Sequence, residues 1–371
     1  MKIVFIGCRD IHTLGGIESY MSNLARELVK RGHEPVIYCE SNRKAIEWED
    51  GIKLIHYKSP RNIYICKIWI SFKATFRTLF KEKDVAAIHY NSWPPAIWSF
   101  IPRMFGIKTY MQGHGLGWER SKYKKKQQKI IKFAATTVTR MNKYRIMCSE
   151  GQTKYFKDNH NLKCTTIPTA VNLPPEKNKD SAIYIEKHKL DAKGYFLYMG
   201  RLVQDKNPDY LIKAFMASNN RKKKLVIAGA NDADKGYVDY LHNIAKGNEN
   251  VIFTGAIYGD EKDALLRNAY TFCLPSTIEG LSIVLLEAMS YKLPIIASDI
   301  DANKEVLEEK DAVWVRPESV DELKDAIEFC INNPEIIEEV RMRNFNRIKK
   351  SYTWEKITDR YIAFLESIGV S

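Results

Sequence analysis

The 371-residue chain lacks the marks of several large protein classes. It has no run of about 18 apolar residues, which excludes a membrane-spanning helix. Its seven cysteines are odd in number and none stands in a Cys-x-x-Cys pair. Neither a zinc site nor a disulfide framework is indicated, and a reducing cytosol is the expected home. The apolar part of Met1-Lys2-Ile3-Val4-Phe5-Ile6-Gly7 is too short for a signal peptide and reads as a first strand. There is no solenoid-length repeat and no low-complexity tract. Apolar residues at 45% and charged residues at 28% match a globular chain, which excludes disorder and collagen. The length suggests two domains.

Acidic residues are scarce in one region. Residues 51–150 hold 4 acidic and 20 basic side chains, against a net charge of +13 for the whole chain. Residues 1–170 hold 30 basic and 13 acidic, and the remainder 28 and 32. A field confined to one half attracts an extended anion such as nucleic acid, an acidic membrane surface or a phosphate-bearing substrate, unless it is only a solvated basic face. No nucleic-acid recognition motif accompanies it, and no nucleic-acid partner is expected.

What is present is alternation. Strand-like runs at Lys2–Ile6, Pro35–Cys39, Val85–Tyr90, Lys108–Gln112, Arg145–Cys148 and Thr165–Pro168 are separated by helical patterns. The first of these patterns runs from Ile17 to Leu28, with Gly32 as its stop. A second series comprises Tyr195–Met199, Leu225–Ala228, Val251–Thr254, Thr271–Leu274, Pro294–Ala297 and Ala312–Val315. Alternation of this kind implies parallel sheets covered by helices, and two series imply two doubly wound α/β domains. The polar stretch near 169–193, with Pro174-Pro175, separates them, and helical patterns at about 334–350 and 354–368 end the chain.

The sharpest chemistry lies in the second series. Gly200-Arg201-Leu202-Val203-Gln204-Asp205-Lys206 follows a strand end, where ligands sit in open parallel sheets. A guanidinium and an ammonium there suit a diphosphate, although either alone reads equally as a surface cation. Pro275 to Met289 forms a strand–loop–helix unit, in which Gly280 permits close backbone approach and a helix beginning at Ser282 offers free amides to an anion. Glu287 interrupts an apolar helical run. It must face solvent or find a partner, and the vicinal hydroxyls of a ribose would suit it. In the first series, Gly15-Gly16-Ile17-Glu18 stands between strand and helix without Gly-x-Gly-x-x-Gly spacing, which argues against a dehydrogenase. Gln112-Gly113-His114-Gly115-Leu116-Gly117-Trp118-Glu119-Arg120-Ser121-Lys122 sets a histidine among glycines in an accessible loop.

Glu279 and Glu287, with seven residues between them, resemble the Glu-x7-Glu signature of glycosyltransferase family 4, and Gly200-Arg201-x4-Lys206 is similar to its diphosphate clamp. The resemblance implies GT-B architecture, two Rossmann-like domains facing a cleft. Residues 1–170 would form the acceptor domain, with a C-terminal helix at about 354–371 packing back on it, and residues 171–353 the nucleotide-sugar domain. It implies that Glu287 holds the ribose and Glu279 the donor-sugar hydroxyls. Arg201 and Lys206 would stabilise the diphosphate with the 281–283 amides assisting, and Gly280, Leu281 and Ser282 would line the nucleotide site. Gly16 would admit the donor phosphate, Gly15 the acceptor, and His114 would lie beside the transferred sugar. The segment around His114 looks like a motif of a rhamnosyltransferase-related bacterial branch, with Gly117 replacing that branch's aspartate, and Trp118 and Arg120 are its acceptor-side candidates. Tyr258, after Gly255, is a candidate for the base pocket.

The expectation is a retaining transferase that needs neither metal nor other cofactor. It would move a rhamnosyl or hexosyl unit from a nucleoside-diphosphate sugar to a glycan acceptor, polyprenyl-diphosphate-linked, in surface polysaccharide synthesis. Asp232-Ala233-Asp234 and Asp299-Ile300-Asp301 are read as helix caps rather than metal triplets. Ile65, Ile68, Trp69, Phe72, Phe76 and Phe80, interleaved with Lys67, Lys73, Arg77 and Lys81, fit either core packing or an anionic membrane surface at the inner face. So do the lysines from Lys122 to Lys132 on their own predicted helix. The competing readings are a GT-B epimerase, a nucleic-acid-binding protein and a non-catalytic partner subunit.

Overall fold

A computed structural model describes the whole chain except residues 14, 60–62, 120–123, 179, 221, 231–233 and 371. It divides into two compact units, Met1–Ala170 with Trp354–Ser371, and Val171–Thr353.

Among the described residues the first unit holds an eight-stranded sheet. Its strands are β1 (Lys2–Cys8), β2 (Glu34–Ser41), β3 (Ala45–Glu49), β4 (Ile52–Lys58), β5 (Val85–Asn91), β6 (Lys108–Gly113), β7 (Tyr144–Met147) and β8 (Thr165–Thr166). They lie in the order β3-β4-β2-β1-β5-β6-β7-β8, parallel throughout except for β3 against β4. β1, β2 and β5 are buried on both faces, which is why each reads as a continuous apolar run. The β3–β4 hairpin was not among the sequence expectations. Asp50 and Gly51, both at positive φ (50° and 78°), make its two-residue turn. Its half-exposed edge strand gives no apolar run to read.

The helix Gly16–Lys30 buries Tyr20, Met21, Leu24, Ala25 and Leu28 at helical spacing against the sheet. The helix Trp354–Ser367 packs beside it through Trp354, Ile357, Tyr361, Phe364 and Leu365. Arg31 fastens the pair, donating to Asp359 at 2.7 Å and to the Glu355 carbonyl at 2.9 Å.

The second unit has a six-stranded parallel sheet of β9 (Tyr195–Met199), β10 (Lys224–Ala228), β11 (Val251–Gly255), β12 (Thr271–Leu274), β13 (Ile295–Ser298) and β14 (Val313–Val315). Strand order is β11-β10-β9-β12-β13-β14, so the direction of winding reverses between β9 and β12. In the first unit it reverses between β1 and β5. The carboxyl ends of those strand pairs are where such sheets bind ligands. No helix of the described residues is long and apolar enough to cross a membrane.

Candidate active site

In the second unit the chain leaves β9 at Met199 and passes Gly200 and exposed Arg201 into the turn Gln204–Lys206. Asn207, left-handed at φ 49°, then opens the helix Pro208–Ala217. Beside it, β12 ends at Leu274 and the loop Pro275–Ser282 leads into the helix Ile283–Ser290. The two loops are bonded to each other. Asn207 Nδ2 donates to the Pro275 carbonyl at 2.9 Å, and the Thr277 amide donates to the Asp205 carbonyl at 3.0 Å. Lys206 Nζ donates to the Ile278 carbonyl at 3.0 Å and pairs with Glu279 Oε1 at 2.6 Å. From β13, Ser298 Oγ stands 3.0 Å and 2.6 Å from the carbonyls of Leu274 and Ser276. The Tyr198 hydroxyl, pushed up in pKa by burial and by the Glu279 charge against the Arg201 charge, donates to the Arg201 carbonyl at 2.9 Å.

Ser282 is buried and its side chain makes no capping bond, so the first amides of the helix Ile283–Ser290 lack the cap found elsewhere. Ser149, Asp234 and Ser319 each cap their own helix through the side chain. Gly280 and Leu281 are half-buried at the same end. One turn further on, Glu287 Oε1 pairs with Lys262 Nζ at 2.5 Å, while Oε2 is buried without a hydrogen-bond partner. A buried carboxylate oxygen without a donor is costly, and a ligand hydroxyl would satisfy it. Lys262 lies on the helix Gly259–Asn268, and Tyr258, exposed, precedes that helix by one residue. The sequence suggests ribose hydroxyls for Glu287 but no side chain of the protein itself. Lys262 gives no local signal, because the two residues meet only through packing of separate helices.

In the first unit, Arg9 follows β1 and donates through Nε to Glu18 Oε1 at 2.9 Å. Burial would raise the Glu18 carboxyl. The Arg9 hydrogen bond and charge, with backbone donors, outweigh that and hold it below its ordinary value. A Cβ on Gly15 would stand 2.2 Å from Glu18 Oε2 and 2.8 Å from Arg9 Nη2, so a side chain there would displace the ends of that pair. Gly16 is exposed as the first residue of its helix.

His114 follows β6 and is half-buried. Its Nε2 lies 3.0 Å from Asn91 Oδ1, and Tyr20 meets the ring edge-on at 5.4 Å. Burial lowers its pKa to about 4, with the Lys67 charge adding and Glu18 opposing. Asn91 was missed in the sequence because an amide at a strand end carries no motif. Trp118 is buried against Phe156, Ala135 and Met147. It lines a cavity of about 40 Å³ with His114, Gly115, Thr139 and Gln152. Arg120 and Asp232 lie outside the described residues. Asp234 caps the helix Lys235–Ile244, accepting from the Tyr237 amide at 3.1 Å, and Asp299 pairs with Lys304. Among the described residues no group of three or more His, Cys, Asp or Glu side chains is placed to hold a metal ion.

Two family models match the chain. Residues 180–349 match the glycosyl transferases group 1, and residues 14–174 match glycosyltransferase family 4. An uncharacterised glycosyltransferase of Methanocaldococcus jannaschii is 28% identical over 169 residues, 45% of this chain and 43% of that protein. A GDP-mannose-dependent α-(1-6)-phosphatidylinositol monomannoside mannosyltransferase of Mycobacterium tuberculosis is 24% identical over 84% of each chain. The gpi3 subunit of the Schizosaccharomyces pombe phosphatidylinositol N-acetylglucosaminyltransferase is 22% identical over 95% of this chain and 78% of its own length. Among solved structures, a sucrose-phosphate synthase of Thermosynechococcus elongatus superposes with a TM-score of 0.82 at 17% identity, covering 99% of this chain and 98% of that one. Anabaena HepE, solved with UDP-glucose, does so at 0.80 and 16%, covering 99% and 100%.

Proposed function

The chain belongs to the family 4 glycosyltransferases, enzymes of GT-B fold that use nucleotide-sugar donors, and from that premise we propose how this member works. It transfers a rhamnosyl or hexosyl unit from a nucleoside-diphosphate sugar to a glycan acceptor, lipid-diphosphate-linked, in bacterial surface polysaccharide synthesis. The observation that carries this reading is the buried, unpartnered Oε2 of Glu287. It lies on the helix whose uncapped end adjoins the Lys206–Glu279 pair. The ribose hydroxyls donate to Glu287. The diphosphate takes Arg201, Lys206 and the amides from Gly280 to Ser282, drawing Lys206 from Glu279 and leaving that carboxylate for the sugar hydroxyls. Tyr258 lies against the base. Charge that develops on the leaving diphosphate is met by these fixed cations and dipoles, so the chemistry requires no metal.

In the first unit, neutral His114 accepts a hydrogen bond from the sugar, Gly16 admits the donor phosphate, and Gly15, Trp118 and Arg120 serve the acceptor side. The family resemblance implies retention of anomeric configuration. Attachment to an anionic membrane surface is supported by exposed Phe80, Met104, Phe105, Ile130 and Phe133, which share their segments with Lys73, Lys81, Arg103, Lys125 and Lys129.

The test is thermal shift with UDP, GDP, dTDP and ADP without metal, followed by transfer assays with the sugar of the base that binds. A ligand at about 100 times its dissociation constant should stabilise by roughly 2.7 kcal/mol. Silence from all four in a folded sample would defeat the donor site. Conversion of the donor alone into an isomer would favour an epimerase.

A further inference from the structure

We propose that Asn91 is a positioning residue that holds the His114 ring as the neutral Nε2–H tautomer, so that Nδ1 is the acceptor offered to a substrate hydroxyl. The proposal rests on the reading of His114 as a substrate contact; the tautomer can be measured without it.

The argument begins with the sheet. Asn91 is the last residue of β5 and pairs with Gln112 near the end of β6, two residues before His114. Gly7 in β1 makes room for it. A Cβ at Gly7, whose φ is 111°, would stand 2.6 Å from the Asn91 carbonyl oxygen. The side chain is fully buried and its Oδ1 faces His114 Nε2 at 3.0 Å. An amide oxygen only accepts, so the ring must donate through Nε2, and its remaining lone pair is on Nδ1.

Asn91 Nδ2 is buried with no hydrogen-bond partner. An amide does what a carboxylate would not. It fixes the ring without favouring the imidazolium.

The groups around the ring agree with a neutral His114. Lys67, from the helix Ile63–Lys81, opposes a second positive charge there. His89 is itself kept neutral by burial, with His114 adding to the effect. Glu18, from the helix Gly16–Lys30, favours charge but is engaged by Arg9. Tyr20, from the same helix, is held protonated by burial.

The test starts with the unmodified protein. Long-range proton–nitrogen spectra of protein labelled with ¹⁵N-histidine, with His114 assigned by His114→Gln, should show a protonated Nε2 and an unprotonated Nδ1 at pH 7. An Nδ1–H tautomer, a tautomer mixture or an imidazolium at pH 7 overturns the proposal. Asn91→Asp should then move the His114 titration up from about 4 toward neutrality. At pH 6 its kcat/KM should fall about tenfold or more below the unmodified enzyme and recover toward pH 8. Asn91→Leu, similar in volume, should instead give mixed tautomers and a loss that does not depend on pH. A His114 titration unmoved in a folded Asn91→Asp variant also overturns the proposal. A titration that moves while the rate profile stays flat overturns His114 as a substrate contact, which is a different failure.

Discussion

Counted by unit, Met1–Ala170 with Trp354–Ser371 carries 32 basic and 16 acidic residues, and Val171–Thr353 carries 26 and 29. Both sheets are parallel, apart from edge strand β3 of the first, and their winding reverses beside a central strand. They handle polar groups differently at that point. The second unit pairs its ionic groups, Lys206 with Glu279 across two loops bonded to each other and Lys262 with Glu287 between two helices. The first pairs Arg9 with Glu18 and, near that pair, keeps buried His89 and half-buried His114 neutral. Its excess charge sits instead on outer helices such as Lys125–Met141. On the proposed reading, net charge does not mark the unit that takes the diphosphate. A phosphate site is made by a few fixed donors, and a field of +16 over the other unit addresses a broader surface.

The largest expected effect breaks the paired site of the second unit. Lys206→Ala or Glu279→Ala should lower kcat by about 10²–10³, as loss of a transition-state electrostatic contact does, with the circular dichroism spectrum unchanged. Near-normal turnover in both would remove the pair from catalysis. Next, Glu287→Ala should weaken nucleoside-diphosphate binding by about 10- to 100-fold in calorimetry, the worth of a charge-assisted hydrogen bond. Unchanged affinity would leave Glu287 as no more than the partner of Lys262.

A third measurement sharpens the contrast through pH. His114 has its folded pKa lowered to about 4 from 6.5. A base lowered on folding lends stability above its unfolded value, and that stability drains as pH falls through 6.5 toward 4. By pH 5 the loss should reach about 2 kcal/mol, with His89 adding in the same direction. The lowered carboxyls of the second unit, Glu261 and Asp263, lose their contribution only below the ordinary carboxylate range. Hydrogen exchange at pH 5 against pH 7, corrected for intrinsic rates, should open the first unit ahead of the second. Equal opening would contradict the buried neutral histidines. The smallest effect concerns the surface. Lys125→Ala and Lys129→Ala should each weaken sedimentation with anionic vesicles by about 1 kcal/mol, and Phe133→Asp should weaken it further. Binding that ignores all three would take the membrane away from this helix.

The strands buried on both faces could be read from sequence almost to the residue, Tyr195–Met199 and Thr271–Leu274 among them, because continuous apolar runs leave little choice. The β3–β4 hairpin could not be read that way, since β3 is a short edge strand with Ile46 and Trp48 exposed and no continuous apolar run. Its one local signal was Asp50-Gly51, the dipeptide a turn with two positive φ values prefers. At the site, residues carried by a contiguous motif were visible: Arg201, Lys206, Glu279 and Glu287. Their partners were not. Lys262, Asn91 and the Arg9–Glu18 pair arrive from other elements, and only the packing of those elements brings them together.

The loop after β12 has a thermodynamic consequence. Its carbonyls at Leu274, Pro275, Ser276 and Ile278 and its amide at Thr277 are all engaged before any ligand is present. Binding a diphosphate there would freeze little that is not already fixed, so the ordering entropy that weakens many loop-built sites is largely absent. Affinity at such a site is set by how well the anion replaces water, and ligands differing only in flexibility away from the phosphates should bind with similar strength.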